Sequence, residues 1–460
     1  MHRESLDVVI VGAGAAGLAA GRLLAESGKR VGIIEARGRI GGRIHTLQAQ
    51  PAAGADSVAI ELGAEFVHGL PPASWSLILE AQLATSELHG SLFCFDGKHL
   101  EPCDVRQRDS FRVLQQMADW LDRRVPASDL TFAGYLRNAR VEPAAADRAA
   151  AYVEGFNAAD RNIISATALV RQQRAEDRVE GDRIFHIRAG YHALPSYLAA
   201  CFSRAGGALF LDHPVRKITW TPRSVSVQGS TMNGQEFCVR APQAIITLPL
   251  GVLQANCVTF DPVPAEAARQ WQTLAMGQAT RLTLLFDRCF WSERAENLSF
   301  LLAPGELIPT WWTDHLNPPA MTGPPTITGW CAGARNLARL QEALPTPGGL
   351  ERAALQSLAN IFAIPIQTLQ HWMISAHHHD WQFDEYSRGA YSYVAAGALQ
   401  AAGVISTPVA DTLYFAGEHC DIEDQWGTVH AALGSGLRAA RQLLEPAVPP
   451  PVAGGGTANR

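Results

Sequence analysis

An α/β fold opening on a parallel sheet is what this sequence predicts, and three observations carry the prediction. A short apolar strand, Asp7-Val8-Val9-Ile10-Val11, runs into the turn Gly12-Ala13-Gly14-Ala15-Ala16-Gly17. A helical stretch over residues 18–27 leads to a second strand, Arg30-Val31-Gly32-Ile33-Ile34, which ends on an acid, Glu35. Far along the chain another strand, Thr412-Leu413-Tyr414-Phe415-Ala416, enters Gly417, and a helical pattern covers 427–444.

The first unit is a complete βαβ dinucleotide fingerprint. Gly12 permits the tight turn, Gly14 lets backbone approach a pyrophosphate with Ala16 in the same turn, and Gly17 lets helix and strand pack closely. Phosphates would sit at the helix N-terminus, where unpaired N–H groups and the helix dipole favour anions. Glu35 falls where an acid takes ribose hydroxyls, and an acid there disfavours a 2′-phosphate, which argues against NADP. The loop after it, through Arg37, Arg39, Gly41, Gly42 and Arg43, sets adjacent glycines between arginines. That composition suits a backbone passing close to a phosphate.

The chain has 460 residues, enough for two or three domains, with 47% hydrophobic and 18% charged residues, ordinary for a soluble globular protein. A net charge of -6 gives no sign of a nucleic-acid partner, which would show as a basic patch or stripe. Only Lys29, Lys98 and Lys217 are lysines among the 38 basic residues. Eight cysteines (94, 103, 201, 238, 257, 289, 331 and 420) form no CxxC pair and no metal spacing, so reduced, mostly buried thiols in a cytoplasmic protein are expected. No uncharged apolar run is long enough for a membrane span, and the apolar start is a sheet strand rather than a signal peptide. The run His377-His378-His379-Asp380 sits in an extended loop whose successive side chains diverge, so no metal site is expected.

From about residue 75 to 198 the pattern turns helical, with alanine-rich amphipathic runs at 143–156 and 164–179. Strands are expected at 208–211, 215–220, 224–227 and 244–247, followed by a fresh set of strands and helices over 271–400. A nucleotide-binding domain would therefore be assembled from 1–75, 195–265 and 405–445. An inserted α+β domain would take 76–194 and 266–404. Residues 446–460, with Pro449-Pro450-Pro451 and Gly454-Gly455-Gly456, read as a disordered tail.

Several separated motifs now point to a family. They are GAGAAGLAA (12–20) with IEARGRIGGRIHT (34–46), ELGAEFVHG (61–69), RAGYHALPSYLA (188–199), ITLPLGVL (246–253), RLTLLFDRCFW (281–291), YSRGAYSYVAAG (386–397), and LYFAGEHC (413–420) with WGTVHAALGSGLRAA (426–440). In this order, over nearly all of residues 6–444, the chain resembles the flavin-containing amine oxidases: monoamine oxidases, polyamine oxidases and the catalytic domain of lysine-specific histone demethylases. The resemblance implies a Rossmann-type FAD-binding domain with an inserted α+β substrate-binding domain. Carried over by position, Glu35 would hold the adenosine ribose, and Arg37, Gly42 and Arg43 would lie near the pyrophosphate and ribityl. Gly63, Ala64, Glu65 and Phe66 would run alongside the flavin. Val215 would offer its backbone to adenine, Gly417 and Glu418 would meet the ribityl-phosphate, and Thr428 with Val429 would sit at the pyrimidine edge of the ring.

The implied reaction removes a hydride equivalent from the carbon alpha to an amine, passing it to flavin N5. Hydrolysis of the imine and reoxidation by O2, giving H2O2, would follow. Tyr391 and Thr428 would flank the amine, with Trp381 close by, half an aromatic cage that is similar to the demethylase arrangement. His68 resembles the residue at the substrate entrance of polyamine oxidases, and Glu65, Glu154, Asp160 and Asp314 could partner a polycation. Ala390 stands where monoamine oxidases carry a flavin-bonded cysteine, so the FAD is expected to be non-covalent. Arg281 stands where the family has a lysine that holds a water against the flavin; an arginine still donates to water but cannot act as a base. Either one cation has drifted to another, or reoxidation by oxygen is slowed or another acceptor is used. The substrate implied is a polyamine or other primary or secondary amine. Alternatives are an L-amino-acid oxidase, or a flavoprotein directed at protein lysine or without turnover.

Overall fold

The computed structural model describes residues 5–50, 57–104, 109–123, 128–313, 316–317, 323–344 and 348–445. The tail at 446–460 and Asp314 lie outside them. A parallel five-stranded sheet forms the nucleotide half. Its centre is β1 (Val8–Val11), flanked on one side by β2 (Val31–Ile34) and then Ala208–Phe210. On the other side lie Gln243–Ile246 and Leu413–Phe415, so the sheet gathers strands from both ends of the chain. Every residue of β1 and β2 is buried, as expected of strands covered on both faces. Val8, Ile10, Ile33 and Ile245 face one core with Leu18 and Leu24 of α1 (Ala15–Glu26), while Val9, Val11, Ile34 and Ile246 face the other.

The glycines of the first turn are required by space. Gly12 takes φ +108°, and a Cβ on Gly17 would stand 1.9 Å from the Gly12 carbonyl oxygen. Gly14 is different: a Cβ there would meet nothing within 4 Å. The helix Val429–Leu444 crosses α1 as closely, since a Cβ on Gly436 would lie 2.2 Å from the Ala16 carbonyl oxygen.

The second half is built on a seven-stranded, mostly antiparallel sheet. At its heart β3 (Ala279–Phe286) pairs with β4 (Thr326–Ala332), followed by Thr310–Thr313, Leu298–Leu302 and Ser91–Phe95. Three helices stand over one end: α2 (Asp109–Arg123), α3 (Pro143–Asn157) and α4 (Ala166–Asp177). Glu142 caps α3 through the amides of Ala144 and Ala145, and Ser165 caps α4 through Ala168. No helix among the described residues is long and apolar enough to cross a membrane.

Two expectations are corrected. The stretch from 75 to 198 is not wholly helical: Thr85–Leu88, Ser91–Phe95, Leu100–Pro102 and Ile184–Ile187 are strands. Ser91–Phe95 pairs in parallel with Leu298–Leu302, a partner some 200 residues away that local periodicity cannot reveal. Nor are all cysteines reduced and mostly buried. Cys94 and Cys103 are joined by a disulfide, with Cα atoms 5.9 Å apart. The hairpin sets Cys94 opposite Glu101 and ties the Cys103 amide to the Leu92 carbonyl, which brings the two thiols together without a CxxC. Of the six free thiols, Cys201, Cys331 and Cys420 are buried, while Cys238 and Cys289 are exposed.

The α1 crossing yields a test. Gly436→Ala should lower stability by about 1–3 kcal/mol, the usual cost of overpacking, and chemical denaturation should show a lower midpoint. An unchanged midpoint would mean the two helices can separate at no cost.

Candidate active site

A single cavity of about 2550 Å³ runs from the glycine turn, between the two halves, to the helical wall of α2–α4. Gly12, Gly14, Ala16, Glu35, Arg37, Gly42, Arg43, Gly63, Ala64, Glu65, Phe66, Val215, Gly417, Glu418, Thr428 and Val429 all line it. So do Arg281, Tyr391, Trp381 and His68. Gly17 lies beneath the wall, packed on Gly12.

At the nucleotide end, no side chain caps α1, so its first-turn amides remain available to a ligand. Open space over Gly14 leaves room for an anion at that helix end. Gly41 and Gly42, at φ +94° and +60°, bring the arginine loop alongside Gly14. The Glu35 carboxylate accepts from the Ala13 amide at 2.8 Å and the Arg37 amide at 2.9 Å. Burial still holds its pKa above the ordinary value, the two amides opposing the shift. An acid held this way keeps lone pairs for ribose hydroxyls. A concave anion site, an oriented acid and a cavity of this length fit an extended dinucleotide such as FAD.

Midway, Arg37 bonds Asp384 at 2.6 Å and lies over the Tyr386 ring. Arg43 bonds Glu418 at 2.8 Å and the Ala390 carbonyl at 2.9 Å. Glu418 also accepts from the amides of Ser392 and Gly427. Burial opposes its charge, but the Arg43 and His419 side chains and the Ser392 hydroxyl hold the carboxyl below its usual range. Thr428 caps α5 (Val429–Leu444): its hydroxyl accepts from the Ala431 amide and donates to the Gln425 carbonyl. The positive end of α5 is thereby presented at the cavity.

The far end is aromatic. Tyr391 donates its hydroxyl to the Phe156 carbonyl at 2.6 Å, and its ring lies parallel to that of Trp330, centroids 6.4 Å apart. Trp381 is buried and anchored through its indole N–H to the Leu62 carbonyl. Arg281 sits opposite Trp330 in the β3–β4 register, so the two share a face. Its guanidinium bonds Glu65 at 2.7 Å and the Gly63 carbonyl at 2.8 Å, over the Trp312 ring, while the Trp312 N–H also reaches Glu65. Phe66 packs edge-on against His68 and His186. Burial drives the His68 pKa down to about 4, with His186 adding to the shift, and that of His430, on α5, down to about 3, with His68 adding to it.

Trp330, Trp312, Phe156 and His430 were not singled out from the sequence. For the tryptophans an alternating strand pattern was the available signal; for Phe156 and His430 nothing local marks them. Three acids expected to meet a polycation are occupied on their own chain: Glu65 by Arg281, Glu154 by Arg161 at 2.7 Å, and Asp160 by the Asn162 amide. His379 pairs with Asp384, and His377 with Ser375.

The Arg281–Glu65 pair is testable through its burial. Removing one partner of a buried pair leaves a charge uncompensated, at a cost of about 3–5 kcal/mol, whereas replacing both by apolar groups is often neutral. Glu65→Leu should therefore be strongly destabilised to denaturant, and the double variant Glu65→Leu with Arg281→Met should regain most of the loss.

Comparison with known proteins agrees with this geometry. The flavin containing amine oxidoreductase family matches residues 15–444. Probable polyamine oxidase 4 of Arabidopsis thaliana is 28% identical over 472 residues, covering 95% of this chain and 86% of its own. Lysine-specific histone demethylase 1 homolog 1 of Oryza sativa subsp. japonica is 27% identical, covering 96% of this chain but 52% of its own. Among solved structures, wild-type putrescine oxidase bound to putrescine superposes with a TM-score of 0.79 at 20% identity, over 96% of this chain and 99% of that one. Cyclohexylamine oxidase from Brevibacterium oxydans IH-35A gives 0.76 at 21% identity, with the same coverage. The two solved structures share the fold. The chain belongs to the flavin containing amine oxidoreductases, as an FAD-dependent amine oxidase.

Proposed function

We propose that the protein oxidises a polyamine or another small primary or secondary amine, with O2 as the electron acceptor and H2O2 as product. The observation that carries this reading is the continuity of one cavity from the glycine turn to the Tyr391 and Trp330 rings. Bound FAD supplies the acceptor for a hydride from the carbon alpha to nitrogen. The amine must be neutral when it reacts, because an ammonium has no lone pair to assist hydride loss. The desolvation that keeps His68 and His430 uncharged at neutral pH pushes an arriving ammonium toward its neutral form in the same way.

Tyr391 and Trp330 supply aromatic surface that orients the amine, and Trp381 fixes the opposite loop through Leu62. Glu35 and the α1 terminus would hold ribose and pyrophosphate; Gly63, Ala64, Glu65 and Phe66 would follow the flavin. The α5 terminus at Thr428 and Val429 would stabilise negative charge on the ring. Ala390 has no thiol, which supports a non-covalent cofactor. An L-amino-acid oxidase needs an arginine to grip a carboxylate; the arginine facing Trp330 is already bonded to Glu65, which weighs against that reading.

Anaerobic titration of the yellow protein with putrescine, spermidine, spermine and their acetylated forms, aryl monoamines, L-amino acids and a lysine-methylated peptide tests the substrate class. Aliphatic amines should bleach the flavin and L-amino acids should not; bleaching by amino acids alone would overturn the reading. Acid precipitation should release the flavin to the supernatant, and colour retained in the pellet would contradict non-covalent binding. Admitting air to reduced protein should restore the yellow colour equally fast in wild type and in Arg281→Lys. A marked acceleration in the variant would mean Arg281 restricts the reaction with oxygen.

A further inference from the structure

Three cavity-lining carboxylates near the reacting end are ion-paired on their own chain. Glu65 is paired with Arg281, Glu154 with Arg161 and Glu418 with Arg43. Glu176, on α4, also lines the cavity, and its recorded hydrogen bond is from the Gln172 amide one turn earlier, at 3.1 Å. No arginine, lysine or histidine among the described residues forms an ion pair with it. Burial pushes its carboxyl up to about 7, the Gln172 hydrogen bond opposing the rise and Asp177 adding to it. A carboxyl in that state gains from any cation that reaches it, because the cation offsets the cost of ionising in a desolvated place.

Its surroundings suit a cation on an apolar stem. Glu176 is close enough to Tyr152 for its charge to oppose ionisation of that phenol. Tyr152 and Phe156 stand one turn apart on α3 with rings stacked at 5.8 Å and 7° between planes, and Phe111 of α2 packs on Tyr152 at 5.1 Å. Phe156 lies 6.3 Å from the His68 ring, and its carbonyl takes the Tyr391 hydroxyl. An aromatic wall therefore leads from Tyr391 to an uncompensated carboxylate. The face of Tyr152 adds attraction for a cation placed over it.

We propose that Glu176 recognises a second, non-reacting ammonium of the substrate, so that the enzyme selects diamines or polyamines over monoamines. The reacting nitrogen lies at Tyr391 and Trp330, the methylene chain runs along Phe156 and Tyr152, and the distal ammonium donates to Glu176. This assignment rests on the amine-oxidase reading above and sharpens its substrate class.

The experiment compares flavin-loaded wild type with Glu176→Gln and Glu176→Asp, following anaerobic flavin reduction against increasing putrescine, spermidine and butylamine. Flavin absorbance and thermal midpoint report that each variant is folded. A lost charge-assisted hydrogen bond corresponds to a ~10–100-fold rise in the half-saturating concentration. That rise is expected in Glu176→Gln for spermidine or putrescine, with little change in limiting rate, no change for butylamine, and a partial effect in Glu176→Asp. Equal weakening of butylamine and spermidine would overturn the assignment, as structural damage would produce it. Unchanged half-saturation by both polyamines would overturn the assignment while leaving the polyamine reading standing. Reduction by monoamines alone would remove both.

Discussion

The ion pair between Arg43 and Glu418 is the joint on which the site depends. The two residues are 375 positions apart, and both line the cavity. Arg43 also holds the Ala390 carbonyl, while Glu418 gathers the amides of Ser392 and Gly427. One buried pair thus fixes the start of the chain, the strand that carries Tyr391 and the loop that leads into α5. Arg37 with Asp384 and Arg281 with Glu65 repeat the device at either end of the same wall. Each is sheltered from water, so each carries a desolvation cost that only good geometry repays. The bonds from backbone groups supply that geometry.

How much of this was legible in the sequence follows from the range of the forces involved. The glycine turn was readable because its demands are local: positive φ at Gly12, contact at Gly17 and openness at Gly14 are all met within a few residues. Glu35 was readable for the same reason, standing at a fixed offset from the turn. The ordered motifs pointed to the remaining wall residues, and the structure gathers them around one cavity. What each charge was bonded to could not be read. The guanidinium of Arg281 closes on Glu65 and Gly63, contacts 216 and 218 positions distant. Trp330 escaped notice because its position opposite Arg281 is a matter of strand register. Glu176 escaped because a glutamate on an amphipathic helix reads as solvated until the helices around it are assembled. The strands between residues 75 and 198 escaped because their partners come from distant segments.

The two ends of the cavity differ in electrical character. At the nucleotide end, unpaired amides and the helix terminus present positive potential without a mobile charge. Toward the aromatic end, Glu65, Glu154 and Glu418 are cancelled in ion pairs and His68 and His430 are held neutral by burial, whereas Glu176 has no ion-pair partner among the described residues.

The cavity's walls also have separate origins. The dinucleotide end is built from the parallel sheet and from a turn whose backbone at Gly12 and Gly17 is too crowded to accept a methyl group. The opposite rim is built from α2, α3 and α4, whose exposed positions tolerate exchange of one side chain for another. Changes on those three helices can therefore retune which molecule is admitted while the oxidising half stays intact. For an engineer, or for divergent evolution, the fold separates a part that must be conserved to work at all from a part that is free to learn new partners.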